Sequence, residues 1–398
     1  MPAAQTASYY GTVTKTFHWL TALLMLTVIP LGIVANQLPY ETNEQLAFKA
    51  QLFSIHKTLG VVIFVVALAR IAWALTRRKP GHLHPDRKAE TTLADTVHWL
   101  LYASLVAVPL TGWIHHAATS GFAPILLPIG QSLPLVPKSE ALSETFATLH
   151  WIWSKIMVAA ILLHVAGALK HHFVDKDATL RRMWFGKADS PVTLPHHGNL
   201  IAPVAAFAIF GLATGAGAAA GLFSHEARST TATLAQVSSE WAVTDGAIEI
   251  TVTQLGSPVT GRFADWTAAI SFDPDATGTA GDVTTTVSIG SLTLGSVTNQ
   301  AMGADFFNAD AFPTAVFDAT IIEDTGAYRA EGTLTIKDNS LPVTLPFDLT
   351  IDGDTAKMRG TVTLDRRDFT IGQSMDDETN LAFGVAVDIT VTATRSQN

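Results

Sequence analysis

The sequence predicts two domains of different fold class: an all-α bundle of membrane-spanning helices, followed by an all-β antiparallel domain. Three observations support this prediction. Long apolar stretches occur only in the first part of the chain, and all 14 histidines also lie there, before residue 226. The remaining part is rich in Thr, Asp, Gly and Val in short alternating stretches. Because composition shifts so sharply, we expect a domain boundary at this point.

Composition excludes several classes of protein. The chain is 48% hydrophobic and 15% charged, its formal net charge is −9, and no basic block exceeds three residues. These values argue against a nucleic-acid-binding protein. The chain has no cysteine, which excludes disulfides, iron–sulfur clusters and thioether-linked haem.

Five apolar stretches are close to the roughly 20 residues that a helix needs to cross a bilayer. They cover residues 14–38, 54–76, 95–117, 149–172 and 200–223. The first begins near Phe17 and is long enough to span, so we expect a membrane helix there rather than a cleaved signal peptide.

Basic residues predict the orientation of these helices. They are concentrated in the loops after the second and fourth stretches and are few on the opposite side, which holds Lys49, Lys57 and Lys138. By the positive-inside rule the N-terminus is cytoplasmic, and five spans then place everything after residue 224 outside.

The fifth stretch is rich in Ala and Gly and holds no ionisable residue. Two interpretations fit it. Its small residues allow close packing against a neighbouring helix, or it is a plain tether for the C-terminal domain. We expect the tether.

Four histidines, His18, His56, His150 and His164, lie inside or at the mouths of apolar stretches. An ionisable residue within a membrane is a functional candidate because its burial is costly. His150 and His164 are 14 residues apart on one stretch, so they share a helix face and are separated by about 21 Å. Two b-type haems stacked across a membrane need this arrangement, with one further histidine per haem.

The expected depth of each histidine in the membrane predicts which two would bind the same haem. The predicted helix directions put His56 and His150 at the outer face, and His18 and His164 deeper, towards the inner face. Ligation by two imidazoles saturates the iron, which suits electron transfer better than oxygen binding.

Two kinds of residue, an arginine and several glycines, fit around such haems. Arg70 follows His56 by 14 residues and therefore lies deeper on the same face, where it can meet a propionate of the inner haem. Gly60 lies one turn beyond His56 and leaves room for a macrocycle, as do Gly112 and Gly167.

Other side chains admit two interpretations. Lys57 and Lys155 either meet propionates of the outer haem or extend to water, as interfacial lysines usually do. His98, His115 and His116 lie at the ends of the third stretch, where a histidine is more commonly an interfacial residue than a ligand.

His171 follows His164 by seven residues and lies on the same face, near His172 and Asp175. These residues form either a proton-exchanging site beside a quinone or a solvated helix end.

Residues 9–185 resemble the bacterial cytochrome b561 family. The likeness is carried by Thr16–Trp19, Ile55–Gly60, Leu149–His150, and Leu163–Phe173 followed by Asp175. We extend the cytochrome domain slightly, to residues 9–190, and place the fifth helix with its linker at residues 196–226. The resemblance implies a four-helix, di-haem b cytochrome of the bacterial inner membrane that exchanges electrons with ubiquinone. It also implies that His18, His56, His150 and His164 are the axial ligands. Some relatives take electrons from periplasmic superoxide.

From about residue 235, apolar and polar residues alternate in short stretches such as Ala247–Val252, Val283–Ile289, Gly332–Ile336 and Ala386–Thr392. Many short strands separated by turn residues predict an antiparallel sandwich or barrel. A barrel of about eight strands can enclose one ligand. This part has no His or Cys, so we expect a binding domain rather than a catalytic triad or a transition-metal site.

Residues 235–398 resemble the YceI-like domains, through Gly261–Trp266, Ile270–Pro274, Asp305–Phe307 with Phe312-Pro313, Gly332–Ile336 and Arg367–Gly372. The resemblance implies a periplasmic, lipocalin-like barrel that carries an isoprenoid chain, including quinone-type lipids. The chain departs from the pattern at Leu255-Gly256, where members often have His before Gly, and at Asn339–Pro342. Six aromatic residues either line the pocket for the lipid tail or form plain core: Phe263, Trp266, Phe306, Phe307, Phe312 and Phe317.

The leading hypothesis is a di-haem b electron-transfer protein that exchanges electrons with ubiquinone, fused to a barrel that binds an isoprenoid or quinone lipid. Superoxide is one candidate donor. A first alternative is a membrane-anchored lipid carrier or stress protein with an auxiliary cytochrome. A second is the cytochrome b subunit of a larger dehydrogenase.

Overall fold

The computed structural model describes residues 10–77, 80–119, 123–186, 200–224, 234–235 and 237–396. The chain divides into two compact units. The first comprises residues 1–37, 51–118 and 124–225, and the second comprises 38–50, 119–123 and 226–398.

Long apolar helices make up the first unit. They are α1 (Thr12–Gln37), α2 (Asn43–Leu75), α3 (Lys88–Ala118), α4 (Glu140–Lys170) and α6 (Ile201–Ala219), with a short α5 (Thr179–Met183) between the last two. Within the described residues, these five long helices have the length and composition to cross a membrane. The five predicted spans are therefore confirmed, although α2 and α4 extend several residues beyond the apolar stretches.

The interior of the helical unit is formed by side chains from α1 to α4. Its buried apolar members are Met25, Val28, Ile63, Ala67, Leu105, Val108 and Met157. Other large apolar side chains on the same helices, such as Leu23, Leu26 and Leu162, are exposed. An apolar exterior is the surface that a helix bundle presents to lipid.

Helix α6 packs closely on its neighbours. Trp153 of α4 contacts the ring of Phe210, with ring centroids 5.4 Å apart, and its Nε1 donates to Thr214 Oγ1 at 3.0 Å. Ala202 and Ala206 are each only 1% exposed. The small residues therefore allow close helix packing, and the structure supports this alternative over a plain tether.

The second unit contains one antiparallel sheet of ten strands in the order β3-β4-β6-β7-β8-β9-β10-β1-β2-β5. The strands are β1 (Trp241–Gln254), β2 (Ser257–Phe263), β3 (Trp266–Phe272), β4 (Gly278–Ser288), β5 (Leu292–Thr293), β6 (Thr314–Asp324), β7 (Ala327–Ile336), β8 (Asn339–Asp352), β9 (Thr355–Asp365) and β10 (Gly384–Arg395). Helix α7 (Thr298–Met302) lies between β5 and β6. The sheet curls around an apolar interior, which confirms the predicted antiparallel barrel.

Candidate haem sites and lipid cavity

His56 of α2 and His150 of α4 meet inside the helical unit, with ring centroids 6.4 Å apart. Nδ1 of His56 lies 3.0 Å from the carbonyl oxygen of Val28, and Nδ1 of His150 lies 2.9 Å from that of Val108. A carbonyl oxygen only accepts hydrogen bonds, so each Nδ1 carries the proton. Each Nε2 is then the nitrogen available to a metal.

Two glycines make room for these imidazoles. A Cβ atom on Gly32 would lie 2.6 Å from Cε1 of His56, and one on Gly112 would lie 3.0 Å from Cε1 of His150. Gly112 was expected to leave room for a macrocycle; instead it makes room for the imidazole of His150. Each glycine lies four residues after the valine whose carbonyl accepts from the same imidazole. Positions i and i+4 adjoin on a helix, so the valine carbonyl and the glycine contact one ring.

The sequence carries a signal for this arrangement in two similar five-residue segments, which spacing of the histidines alone does not indicate. Val28–Gly32 reads Val-Ile-Pro-Leu-Gly and Val108–Gly112 reads Val-Pro-Leu-Thr-Gly. Both segments have valine and glycine four residues apart with a proline between them. Proline removes one N–H from the helix ladder. The repeat therefore marks two similar turns, one on α1 and one on α3.

His18 of α1 and His164 of α4 form the second pair, with ring centroids 6.0 Å apart. Arg70 is close enough to interact electrostatically with both rings, and its guanidinium carbon lies 5.3 Å from the centroid of Tyr102. His98 of α3 also approaches, with its centroid 5.2 Å from that of His164. The structure thus brings together the predicted pair, the predicted arginine and one of the rival histidines.

The two pairs fit bis-imidazole haem ligation. Imidazole nitrogens bind metals at about 2 Å, so two rings on one metal have centroids roughly 6 Å apart. Both pairs meet this condition. A Cβ atom on Gly60 or Gly167 would meet nothing within 4 Å in the described structure, so space lies open beside the helices that carry the histidines.

The remaining predicted neighbours of the haems lie in different surroundings. Lys57 is 7% exposed, and its Nζ donates to Gln131 Oε1 at 3.0 Å. Lys155 is exposed, with Nζ 5.3 Å from the ring centroid of Trp151. Of these two lysines, only Lys57 is placed inside the helical unit.

Of the other histidines of α3, His115 serves helix packing. Its Nδ1 lies 2.9 Å from the carbonyl oxygen of Ser143 on α4, and its ring centroid lies 4.4 Å from that of His116. This contact accounts for His115 without a ligand role.

Helix α4 ends in a π-helical turn, His171–Asp175, and His171 is the centre of a charged cluster. Its Nδ1 lies 2.7 Å from Asp177 Oδ2, and its Nε2 lies 3.3 Å from Glu90 Oε1. The ring of His84 stacks on it at 6.3 Å, almost parallel. Single π-helical turns occur frequently at functional sites.

The carboxylates of this cluster are paired with cations. Lys170 forms ion pairs with Glu90 and Asp175, and Arg87 Nη1 lies 3.2 Å from Asp175 Oδ1. Burial alone would raise the pKa of Asp177, but hydrogen bonds from Thr179 and His171 outweigh it and lower that pKa. Asp177 is therefore ionised beside the imidazole.

His172 has a different environment from His171. Its side chain is exposed and packs edge-on against Phe173, with ring centroids 4.8 Å apart. His171, rather than His172, has the partners that a proton-exchanging residue needs.

The barrel encloses a cavity of about 280 Å³ with an almost wholly apolar lining. Five of the six predicted aromatic residues line it: Phe263, Trp266, Phe306, Phe307 and Phe317. Phe312 is not among the lining residues, so of the two interpretations the structure does not support the pocket role for it. It lies in the turn before β6, where its N–H donates to the carbonyl of Asn308 at 2.9 Å, and strand alternation does not direct its side chain inwards.

The segment between β9 and β10 forms part of the lining of this cavity, through Phe369, Ile371 and Leu381. Arg366, which lines the cavity and is 4% exposed, holds that segment in place. Its five N–H groups donate to five backbone carbonyls, those of Ile371, Gly372, Met375, Leu381 and Ala382. No sequence pattern indicated this role, because the partners are main-chain atoms.

Comparisons with known proteins agree with both halves of this description. Residues 9–186 match the family model of prokaryotic cytochrome b561, and residues 235–394 match that of the YceI-like domain. Cytochrome b561 homolog 2 of Escherichia coli (strain K12) is 31% identical over 194 residues, which is 48% of this chain and 98% of that protein. The probable superoxide oxidase CybB of Yersinia pestis is 26% identical over 169 residues, 42% of this chain and 90% of that protein.

Among solved structures, that of Burkholderia cenocepacia BcnA is 28% identical. The match covers 37% of this chain and 96% of that one, with a TM-score of 0.36.

Proposed function

Because the chain belongs, through its helical part, to the prokaryotic cytochrome b561 family, we propose that this part is a di-haem b protein that exchanges electrons with ubiquinone. His56 and His150 hold one haem, and His18 and His164 hold the other. The observation that carries the proposal is the meeting of four histidines as two pairs, with centroid distances of 6.4 Å and 6.0 Å.

A bound haem supplies a reversible one-electron carrier. The residues of the chain fix its ligands: the carbonyls of Val28 and Val108 hold His56 and His150 in the tautomer whose Nε2 faces the metal. Two imidazoles per iron leave no coordination position open, which favours electron transfer. Arg70, beside the His18–His164 pair, offers a positive charge to a propionate.

Reduction of a quinone consumes protons as well as electrons, and we assign proton supply to His171. Its Nδ1 hydrogen-bonds to Asp177, and its Nε2 lies within ion-pair distance of Glu90, so carboxylates flank the imidazole on both sides. His171 lies two turns beyond His164 on α4, so a quinone beside it is close to the haem held by His164.

The distribution of basic residues supports a cytoplasmic N-terminus and a periplasmic barrel in the bacterial inner membrane. The apolar cavity supports binding of an isoprenoid or quinone lipid by the barrel. The Yersinia pestis relative is a probable superoxide oxidase, which makes periplasmic superoxide a candidate electron donor for this chain.

Haem quantitation with reduced-minus-oxidised spectra tests the ligand assignment. The purified wild-type protein is expected to hold two b haems per chain, and the His164→Ala and His150→Ala variants one each. His172→Ala, a matched change at an exposed histidine, is expected to keep both. A wild-type protein with a single haem would contradict the proposal.

A further inference from the structure

The barrel cavity contains a polar side chain with an unused hydrogen-bonding atom. Gln254, the last residue of β1, lines the cavity and is 3% exposed. Among the residues that the structure describes, its Oε1 has no hydrogen-bond partner. A buried acceptor without a donor costs free energy, so this position indicates that a donor arrives with a ligand.

Arg366, the other strongly polar group at this end, is already fully used. Its five N–H groups all donate to backbone carbonyls. A guanidinium has five such donors, so none is left for a ligand. Arg366 would therefore offer a phosphate or carboxylate head group a positive charge but no hydrogen bond of its own, and it would repel a cationic head group.

Gln254 and Arg366 lie at the same end of the cavity. Gln254 pairs with Leu381 in an isolated antiparallel bridge, and the carbonyl of Leu381 accepts from Arg366 Nη2 at 3.1 Å. The rest of the lining is nearly all aliphatic and aromatic. The cavity therefore has the form of an apolar tail pocket with its head-group contact at one end.

We propose that Gln254 is the head-group contact of the barrel and that its ligand is an uncharged lipid with a hydroxyl group, which donates to Oε1. The chemistry is that of an isoprenoid alcohol or a hydroquinone with an isoprenoid tail. An oxidised quinone offers carbonyl oxygens, which only accept, and so leaves Oε1 without a donor. This inference rests on the proposed lipid binding by the barrel.

Displacement of radiolabelled farnesol from the full-length protein in detergent tests the inference. One pair of competitors is farnesol and its methyl ether, which keeps the oxygen but loses the donor. The other pair is a short-chain ubiquinol and its dimethyl ether, used anaerobically with the haems reduced. The variants are Gln254→Leu and, as a matched control, Gln373→Leu, which changes an exposed glutamine outside the cavity lining.

The wild-type protein is expected to prefer a hydroxylated competitor to its ether by roughly tenfold, the effect of leaving one buried oxygen unsatisfied. Gln254→Leu should remove the preference and Gln373→Leu should keep it. If the protein prefers the hydroxylated competitor over its ether in just one of the two pairs, that pair identifies the ligand: the farnesol pair indicates an alcohol, and the ubiquinol pair indicates a hydroquinone.

Equal displacement by hydroxylated and etherified competitors in the wild-type protein would overturn the head-group assignment while lipid binding stands. That comparison needs no variant, so misfolding of Gln254→Leu would not obscure it. If the wild-type protein retains no farnesol at all, the proposed lipid binding fails, and the assignment fails with it.

Discussion

Gly32 lies directly against the imidazole of His56, so that a Cβ atom at position 32 would fall 2.6 Å from Cε1 of the ring. The ring is also fixed from the other side of the turn, since its Nδ1 faces the carbonyl of Val28 at 3.0 Å. Gly112 and His150 repeat the relationship on α3 and α4. Two interior turns of the bundle thus position the two imidazoles that face each other.

A side chain at position 32 should displace the His56 imidazole. Because 2.6 Å is far inside van der Waals contact, we expect Gly32→Val to lose the haem that we propose for His56 and His150 and to keep the one proposed for His18 and His164. Gly32→Ala should retain the haem partly or shift its reduction potential. Haem quantitation and a potentiometric titration measure both effects.

Gly215→Ala is the matched control for this change, because a Cβ atom at position 215 of α6 meets nothing within 4 Å in the described structure. It should keep both haems at unchanged potentials. If Gly32→Val also keeps both haems with native spectra, the close approach of glycine and imidazole does not position the ligand.

His98 competes with His18 for the role of partner to His164, because its ring is 5.2 Å from that of His164. We expect His98→Ala to keep two haems per chain and His18→Ala to lose one, since His18 and His164 meet the centroid distance of two imidazoles on one metal. Reduced-minus-oxidised spectra of the two variants distinguish the assignments. The reverse pattern would transfer the ligand role to His98.

The sequence was sufficient to predict the five spans, the antiparallel barrel and the pairing of the four histidines. Each of these depends on periodicity: apolar length for a span, alternation for a strand, and spacing along a helix for His150 and His164. Periodicity within one helix or strand predicts which face of that helix or strand a residue occupies. That information was enough to bring His56 to His150 across two helices, because both lie at one depth.

Periodicity does not predict contacts that depend on main-chain atoms or on turns. Arg366 bonds only to carbonyls, which every residue carries, so no residue type marks its partners. Phe312 lies in a turn, where alternation does not apply, so the sequence could not decide whether its side chain faces the cavity. Gly112 was correctly expected to provide space, but the space is taken by an imidazole of a neighbouring helix.

The charged cluster around His171 predicts a selective effect on quinone chemistry. His171→Gln should lower the rate of quinone reduction at least several-fold while both haems keep their spectra, because it removes the imidazole beside Asp177 and Glu90 that we propose supplies protons. Steady-state assays with a short-chain ubiquinone measure the rate. His172→Gln, at the exposed neighbouring histidine, should leave it unchanged; equal losses in both variants would contradict the role of His171.

Arg366 is expected to contribute strongly to the stability of the barrel. Arg366→Met leaves five buried carbonyls without their donor, and we expect a loss of roughly 3–5 kcal/mol in the free energy of unfolding. Urea titration followed by the circular dichroism of the β-sheet measures the loss. Arg367→Met is the matched control, since that neighbouring guanidinium is 55% exposed and pairs with Asp365; because an exposed ion pair contributes little to stability, it should cost far less than Arg366→Met.

The Asp365–Arg367 pair predicts how that smaller contribution depends on pH. The side-chain hydrogen bond from Arg367 lowers the pKa of Asp365 below its usual value. Its stabilisation is therefore complete above the unfolded-state pKa of about 4 and is lost as pH falls through the lower folded-state pKa. Asp365→Asn should be less stable than the wild-type protein at neutral pH, by less than about 1 kcal/mol, and equally stable in strong acid.

Urea titrations across the acid range give this difference directly. The same substitution in an Arg367→Met background should have a smaller effect at neutral pH, because the two residues interact and their effects are not additive. A difference in stability between Asp365→Asn and the wild-type protein that does not change with pH would contradict a contribution from the charge of the carboxylate.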